Sequence, residues 1–197
     1  MLLPLLLLCS FERPPDSFKW ASNLHSEVVA AYGDSTRYVN RRVQIYQESR
    51  DNPRATSDFA GWRKNGVDTV TAVKNGLGAA GLSQFIWPTA ERYGAKTIST
   101  NAAGDAIFAS DIYNPFWSIR ANCRYMHDIE QLLIATSNSK AKRRLRYDRR
   151  FAELCSCAGY NCGEGRLMKL LKKYDAWNDI RIRLPMETRT YAERIVS

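Results

Sequence analysis

Apolar residues recur along most of this 197-residue chain at intervals of three and four, the spacing that gathers side chains onto one face of a helix. Phe18, Leu24, Val28 and Tyr32 follow it behind Ser17, a residue suited to capping, and Gly33 offers a left-handed stop. A first helix is therefore predicted to run to about Tyr32. A second is predicted from Ser35 toward Ser49, with Val39, Val43 and Tyr46 as its stripe and Glu48 in its last turn. Further helical segments fall at 68–75, at 88–93 before Gly94, and at 115–136, where Pro115 suits a first turn and Ile119, Cys123, Met126, Ile129 and Leu133 align. The last of these is the most hydrophobic candidate for a core helix. Segments around 142–157 and 164–174 and a short one after Pro185 complete the series. Strand-like alternation is weak, so the expected fold class is mainly α with minimal β, in a single globular domain.

The first residues break this pattern. Met1-Leu-Leu-Pro-Leu-Leu-Leu-Leu-Cys9-Ser10 is apolar but far short of the roughly 20 residues a spanning helix needs. It resembles the core of a secretion signal, yet lacks a positive n-region and a small-x-small cleavage site. Cys9 invites a lipoprotein reading, but Leu8 stands where a small residue is usual. A Pro-rich link, Glu12-Arg-Pro-Pro-Asp16, separates this tip from the rest. The expected division is therefore 1–16, apolar tip and linker, and 17–197, the folded domain. Residues 2–9 are expected to serve as an anchor or packing peg, with peripheral membrane contact.

Composition sharpens the picture. A hydrophobic content of 45% with 11% aromatics supports a buried core and excludes a disordered chain. The 29 Lys and Arg against 20 Asp and Glu leave a formal charge of +9, which favours encounter with polyanions such as nucleic acid or an anionic cell envelope. The basic residues concentrate between Lys140 and Arg150. No zinc-finger spacing or RNP-like aromatic pattern accompanies that run, so a nucleic-acid module has only composition behind it and a solvated helix face is the simpler expectation. Five cysteines, Cys9, Cys123, Cys155, Cys157 and Cys162, cannot all pair within one chain. The trio at 155, 157 and 162 matches no standard zinc spacing, so buried thiols are expected, and neither metal nor cofactor.

Four short segments carry a more specific signal: Ile45-Tyr-Gln-Glu48-Ser49-Arg-Asp-Asn52-Pro53-Arg-Ala55-Thr-Ser57, Gly78-Ala-Ala-Gly81-Leu82-Ser83-Gln84-Phe85-Ile86-Trp87-Pro88-Thr89-Ala90, Ala158-Gly-Tyr160-Asn161-Cys-Gly163, and Leu184-Pro185-Met-Glu187-Thr188-Arg-Thr-Tyr191. In order and chemistry they resemble the lytic transglycosylase family related to goose-type lysozyme: a helix-ending Glu-Ser with a following Asn-Pro and serine, Gly-Leu-Met-Gln with Pro-x-Thr-Ala, Ala-Tyr-Asn-x-Gly, and Leu-Pro-x-Glu-Thr-x-x-Tyr. The resemblance covers about three quarters of the chain. It implies a lysozyme-like fold and cleavage of the glycan strands of peptidoglycan, in the cell envelope, without cofactor.

Glycosidic cleavage needs a proton for the leaving oxygen and stabilisation of an oxocarbenium-like centre. The resemblance implies one glutamate, Glu48, kept neutral by apolar burial against Ile86, Tyr46 or Tyr160, with the substrate's own N-acetyl group in place of a second carboxylate. Glu48 would protonate the leaving oxygen, then take the proton of the muramic acid C6 hydroxyl as a 1,6-anhydro ring closes. Ser57, Gln84, Tyr160 and Asn161 are the substrate-binding candidates, with Glu187 positioning a cleft residue or touching substrate.

The chain departs from the family where Ser83 replaces methionine, where Gly159 and Cys162 flank Tyr160-Asn161, and in the longer stretch 58–75, in which Trp62 is the candidate for an added cleft wall. Two rivals stand beside this reading. One is a hydrolysing lysozyme of the same fold, using Asp51, Asp58 or Asp68 to activate water. The other is an inactive peptidoglycan-binding or assembly protein, for which retention of Glu48 has no chemical need. Small size, odd cysteines and an imperfect signal point to a phage-encoded, virion-associated setting, with virion or envelope-assembly proteins as partners.

Overall fold

The computed structural model describes residues 14–15, 17–56, 66, 68–96, 98–100, 102, 106–108 and 110–197. They form α1 (Ala21–Tyr32), α2 (Tyr38–Ser49), α3 (Thr69–Lys74), α4 (Trp87–Arg92), β1 (Ile98–Thr100), β2 (Ala106–Phe108), α5 (Ser110–Tyr113), α6 (Pro115–Thr136), α7 (Ser139–Tyr147), α8 (Arg149–Cys162), α9 (Glu164–Leu171), α10 (Trp177–Arg181) and α11 (Met186–Val196). The strands pair antiparallel with Ile98 opposite Phe108. The protein is mainly α in one compact domain, as expected.

Helix ends follow side-chain chemistry. Asn114 accepts the Phe116 amide and Pro115 occupies the first turn of α6; Asn138 accepts the Lys140 and Ala141 amides to start α7. α1 stops at Gly33 in the left-handed region, as predicted. Its start lies a turn later than Ser17, and α2 likewise begins after Ser35, whose carbonyl accepts the Tyr38 amide. The single segment predicted around 142–157 is two helices. Asp148 breaks it: its carboxylate accepts the Phe151 amide and the Arg144 guanidinium, which serves a cap better than a helix interior.

The innermost helix is α8 rather than α6. Every residue from Phe151 to Gly159 is buried, while α11, α9, α6, α7 and α10 pack around it. Small residues allow this approach: a Cβ on Gly159 would sit 3.1 Å from Ile129 Cγ2. A second cluster, Phe18, Leu24, Val28, Ile45, Leu82, Ile119 and Cys123, joins α1, α2 and α6. Each fully enclosed Ile or Leu in it contributes roughly 1.5–3 kcal/mol.

Candidate active site

The chain leaves α2 just after Glu48 through two successive left-handed residues, Arg50 (φ 54°) and Asp51 (φ 61°), a conformation that costs a side-chain-bearing residue about 1–2 kcal/mol. An ion pair offsets that strain. Arg42, nine residues before Asp51, sends both guanidinium nitrogens to the two Asp51 oxygens at 2.7 Å, while its plane rests 4.2 Å from the Phe18 ring centroid.

The following loop is stitched to the Gly-Leu segment. The Gly81 amide donates to Ala55 O at 2.8 Å, and Ala80 exchanges backbone hydrogen bonds with Phe85. Gly81 is required there: φ is +79°, and a Cβ would lie 2.1 Å from the Ile112 carbonyl oxygen. Gln84, also left-handed at φ 47°, donates its side-chain nitrogen to Gly81 O at 2.9 Å and Ala55 O at 3.2 Å. Among the described residues the non-glycine positive φ values thus all fall on the two segments flanking Glu48.

Helices α8 and α11 close the site from the other side. Tyr160, in the last turn of α8, donates its hydroxyl to the Ser83 carbonyl. Tyr191 of α11 donates its hydroxyl to Glu48 Oε1. Asn161 accepts the Thr188 hydroxyl at 2.7 Å, joining the same two helices. Glu187 stands exposed in the first turn of α11. Ser57, Asp58 and Trp62 lie outside the described residues. Of the other carboxylates weighed as water activators, Asp51 is held by Arg42, and Asp68 caps α3 through the Val70 amide.

Burial raises the pKa of Glu48 from 4.5 to about 7, against the opposing pull of the Tyr191 hydrogen bond. Of the three side chains considered for its wall, Ile86 is exposed and Tyr46 lies under the guanidinium groups of Arg42 and Arg50. Tyr160 does sense Glu48. Burial, and then the nearby Glu48 charge, push the Tyr160 and Tyr191 phenols well above their ordinary range, so both remain proton donors at neutral pH. The arrangement holds one carboxyl group poised to give or accept a proton near neutrality.

The same face of α2, one to two turns before Glu48, is fixed by a buried charge network. Glu153 on α8 receives Arg37 and Arg41, and Arg37 also reaches Glu130 at 2.9 Å. Arg41 donates to Gln44 at 2.7 Å, and Gln44 approaches Met126 Sδ at 3.5 Å. These contacts set the rotation of α2 and hence the direction of Glu48. Cys123, Cys155 and Cys157 are free and buried, as expected of structural thiols, whereas Cys162 at the end of α8 is free but only half-buried; among the described residues no cluster suited to a metal occurs.

Tyr191 is the contact that sequence reasoning did not assign, although the fourth matched segment ends on it. Two surface depressions, about 330 Å³ around Tyr32, Arg37 and Arg146 and about 650 Å³ around Arg92, Tyr93 and Arg124, leave Glu48 outside them. The perturbed acid marks the site.

Fold and site together define a mainly helical domain that holds one buried acid, with its pKa raised to about 7, at a helix end. The family model "Transglycosylase SLT domain" matches residues 42–182. The chain belongs to that family, whose members are lytic transglycosylases that cleave glycosidic bonds in the peptidoglycan of the cell envelope. No curated protein and no solved structure matches it. The match includes Glu48, Gln84, Tyr160 and Asn161, and ends before Glu187 and Tyr191.

Proposed function

We propose that Glu48 is the single acid/base of a reaction that cleaves the MurNAc-GlcNAc β-1,4 bond and leaves 1,6-anhydro-MurNAc ends. The observation that carries this reading is the Glu48 carboxyl group, raised to about 7 by burial and held by the Tyr191 hydroxyl. A group with that pKa is protonated often enough at neutral pH to give its proton to the leaving oxygen. It is also basic enough, once ionised, to remove the C6 hydroxyl proton. Tyr191 stabilises the carboxylate between the two transfers, which limits the penalty of a buried charge. The substrate's acetamido group supplies the stabilisation that a second carboxylate gives in other glycosidases.

Gln84, Tyr160 and Asn161, with Ser57 and Glu187, are the proposed glycan contacts. Since the Gln84 nitrogen is already donated to backbone carbonyls, its contribution to substrate is through the oxygen. The stretch 58–75 belongs to the proposal as an added cleft wall; its residues 58–65 and 67 lie outside the described residues, and Thr69–Lys74 forms α3. The division into a tip and linker, 1–16, and a catalytic domain, 17–197, belongs to the proposal too, as does a phage virion setting, which rests on size, cysteine count and the imperfect signal. Glu48→Gln keeps shape but removes the transferable proton. Turnover on purified peptidoglycan is expected to fall by about 10⁴-fold or more, the upper end of acid/base contributions, while the circular dichroism spectrum is retained. Near-normal turnover in that variant overturns the assignment.

A further inference from the structure

The basic run that the catalytic reading leaves unused occupies one face of α7. At 100° per residue, Lys140, Arg143, Arg146 and Tyr147 fall within about a third of the helix circumference. They are exposed, Tyr147 at 82%, while Ala141 and Leu145 on the opposite side are wholly or almost wholly buried. Exposed Arg150 follows at the start of α8. Asn138, the cap of α7, donates its side-chain nitrogen to Leu171 O at 2.8 Å, which brings exposed Lys172 and Lys173 beside the same end. Neighbouring carboxylates do not neutralise the face. Asp148 is engaged by Arg144 and by the α8 amides, Asp175 sits in the turn whose carbonyl Arg144 takes at 2.9 Å, and Asp34, which borders one depression with Arg146 and Tyr147, is taken up by the Thr36 amide and hydroxyl and faces Arg37 before Arg149. The patch also stands apart from the site: Arg149 and Tyr160 are eleven positions apart on α8, about 17 Å along its axis.

We propose that this face docks the protein on an anionic lipid bilayer, electrostatically and without insertion of α7. A cluster of four or more exposed Lys and Arg is what an anionic membrane surface attracts, and a tyrosine among them suits the headgroup level. The inward side of α7 is spent on the core, so charge and one aromatic ring carry the contact. A second feature of the sequence favours lipid over nucleic acid. Residues 2–8, Leu-Leu-Pro-Leu-Leu-Leu-Leu, offer an apolar signal that a bilayer can use and a polyanion cannot, and stable attachment takes two such signals. Docked through α7, the enzyme keeps the opposite end of α8, with Glu48 beside it, free for glycan.

The test uses the full chain and sedimentation with vesicles of phosphatidylcholine alone or with about one third phosphatidylglycerol. Binding is expected only to the anionic vesicles, and it is expected to fall as salt is raised. The triple variant Lys140→Gln, Arg143→Gln, Arg146→Gln is expected to bind roughly 100-fold more weakly, about 5-fold per removed charge. It is expected to retain wild-type turnover on soluble glycan chains and an unchanged melting temperature. The charge-keeping variant Arg143→Lys, Arg146→Lys is expected to bind like the parent. Equal binding to both vesicle types, or full binding by the triple variant, overturns the proposal. Tighter binding to duplex DNA than to the anionic vesicles at the same salt assigns the face to nucleic acid instead.

Discussion

Replacing Glu48 by glutamine is expected to make the protein more stable, and only on one side of the pH scale. In the fold the carboxyl group has a pKa of about 7 against an ordinary 4.5, so the native state binds the proton more tightly than the unfolded chain does. The favourable contribution is fully present below about pH 4.5 and has disappeared once the pH has risen through about 7. Each tenfold change in proton affinity is about 1.4 kcal/mol, so wild-type Glu48 costs the fold about 3 kcal/mol at pH 8 relative to its neutral form. Glutamine has nearly the same shape, accepts the Tyr191 hydroxyl and never ionises. At pH 4 the two proteins are expected to melt together; at pH 8 the variant is expected to melt roughly 6–12 °C higher, given 2–4 °C per kcal/mol for a chain of this size. Differential scanning calorimetry from pH 4 to 8 measures this directly. A melting-point difference that does not change with pH, or a less stable variant at pH 8, refutes the claim that a buried acid of raised pKa occupies this position.

Tyr191→Phe removes the donor that holds the Glu48 pKa down. The alkaline limb of kcat/KM is therefore expected to move to higher pH, by about one pH unit for a charge-assisted bond of ~1.5 kcal/mol, and kcat to fall because the carboxylate intermediate loses its stabiliser. An unmoved limb in a pH–rate profile contradicts the role given to Tyr191. Glu153→Ala leaves Arg37 and Arg41 without their shared carboxylate on α8. A loss of about 3–5 kcal/mol is expected in urea unfolding, and a loss under about 1 kcal/mol shows that the network does not fix α2.

Much of this molecule is legible in its sequence because its signals are local. Helical spacing, the left-handed stop at Gly33, Pro115 in the first turn of α6, and Asp68 at the start of the 68–75 segment each act within a turn of where they stand. The same holds for the four matched segments, all of which meet through Glu48, Ser83, Tyr160 and Tyr191. What stayed hidden depends on distance or on competition. The hydroxyl that reaches Glu48 comes from a residue 143 positions away, and no periodicity encodes that pairing. Asp148 could have lain on an exposed helix face, but its carboxylate gains more by capping the Phe151 amide. The central place of α8 was obscured because Ala, Ser, Cys and Gly are weakly hydrophobic. They are buried because their size lets α6, α9 and α11 close around them. The Arg37, Arg41 and Glu153 network reads in sequence as ordinary surface charge, and only the packing of α2 on α8 shows it to be buried.

The central claim concerns the fate of the C6 hydroxyl proton, and product chemistry tests it most directly. Purified peptidoglycan digested with the wild-type enzyme, followed by mass spectrometry of the released muropeptides, is expected to give 1,6-anhydro-muramic ends, each lighter by one water than a reducing end. Glu48→Gln is expected to release neither. Reducing ends from the wild-type enzyme contradict the account, since they require an activated water and a second carboxylate, for which Asp58, next to Ser57, is the first to substitute.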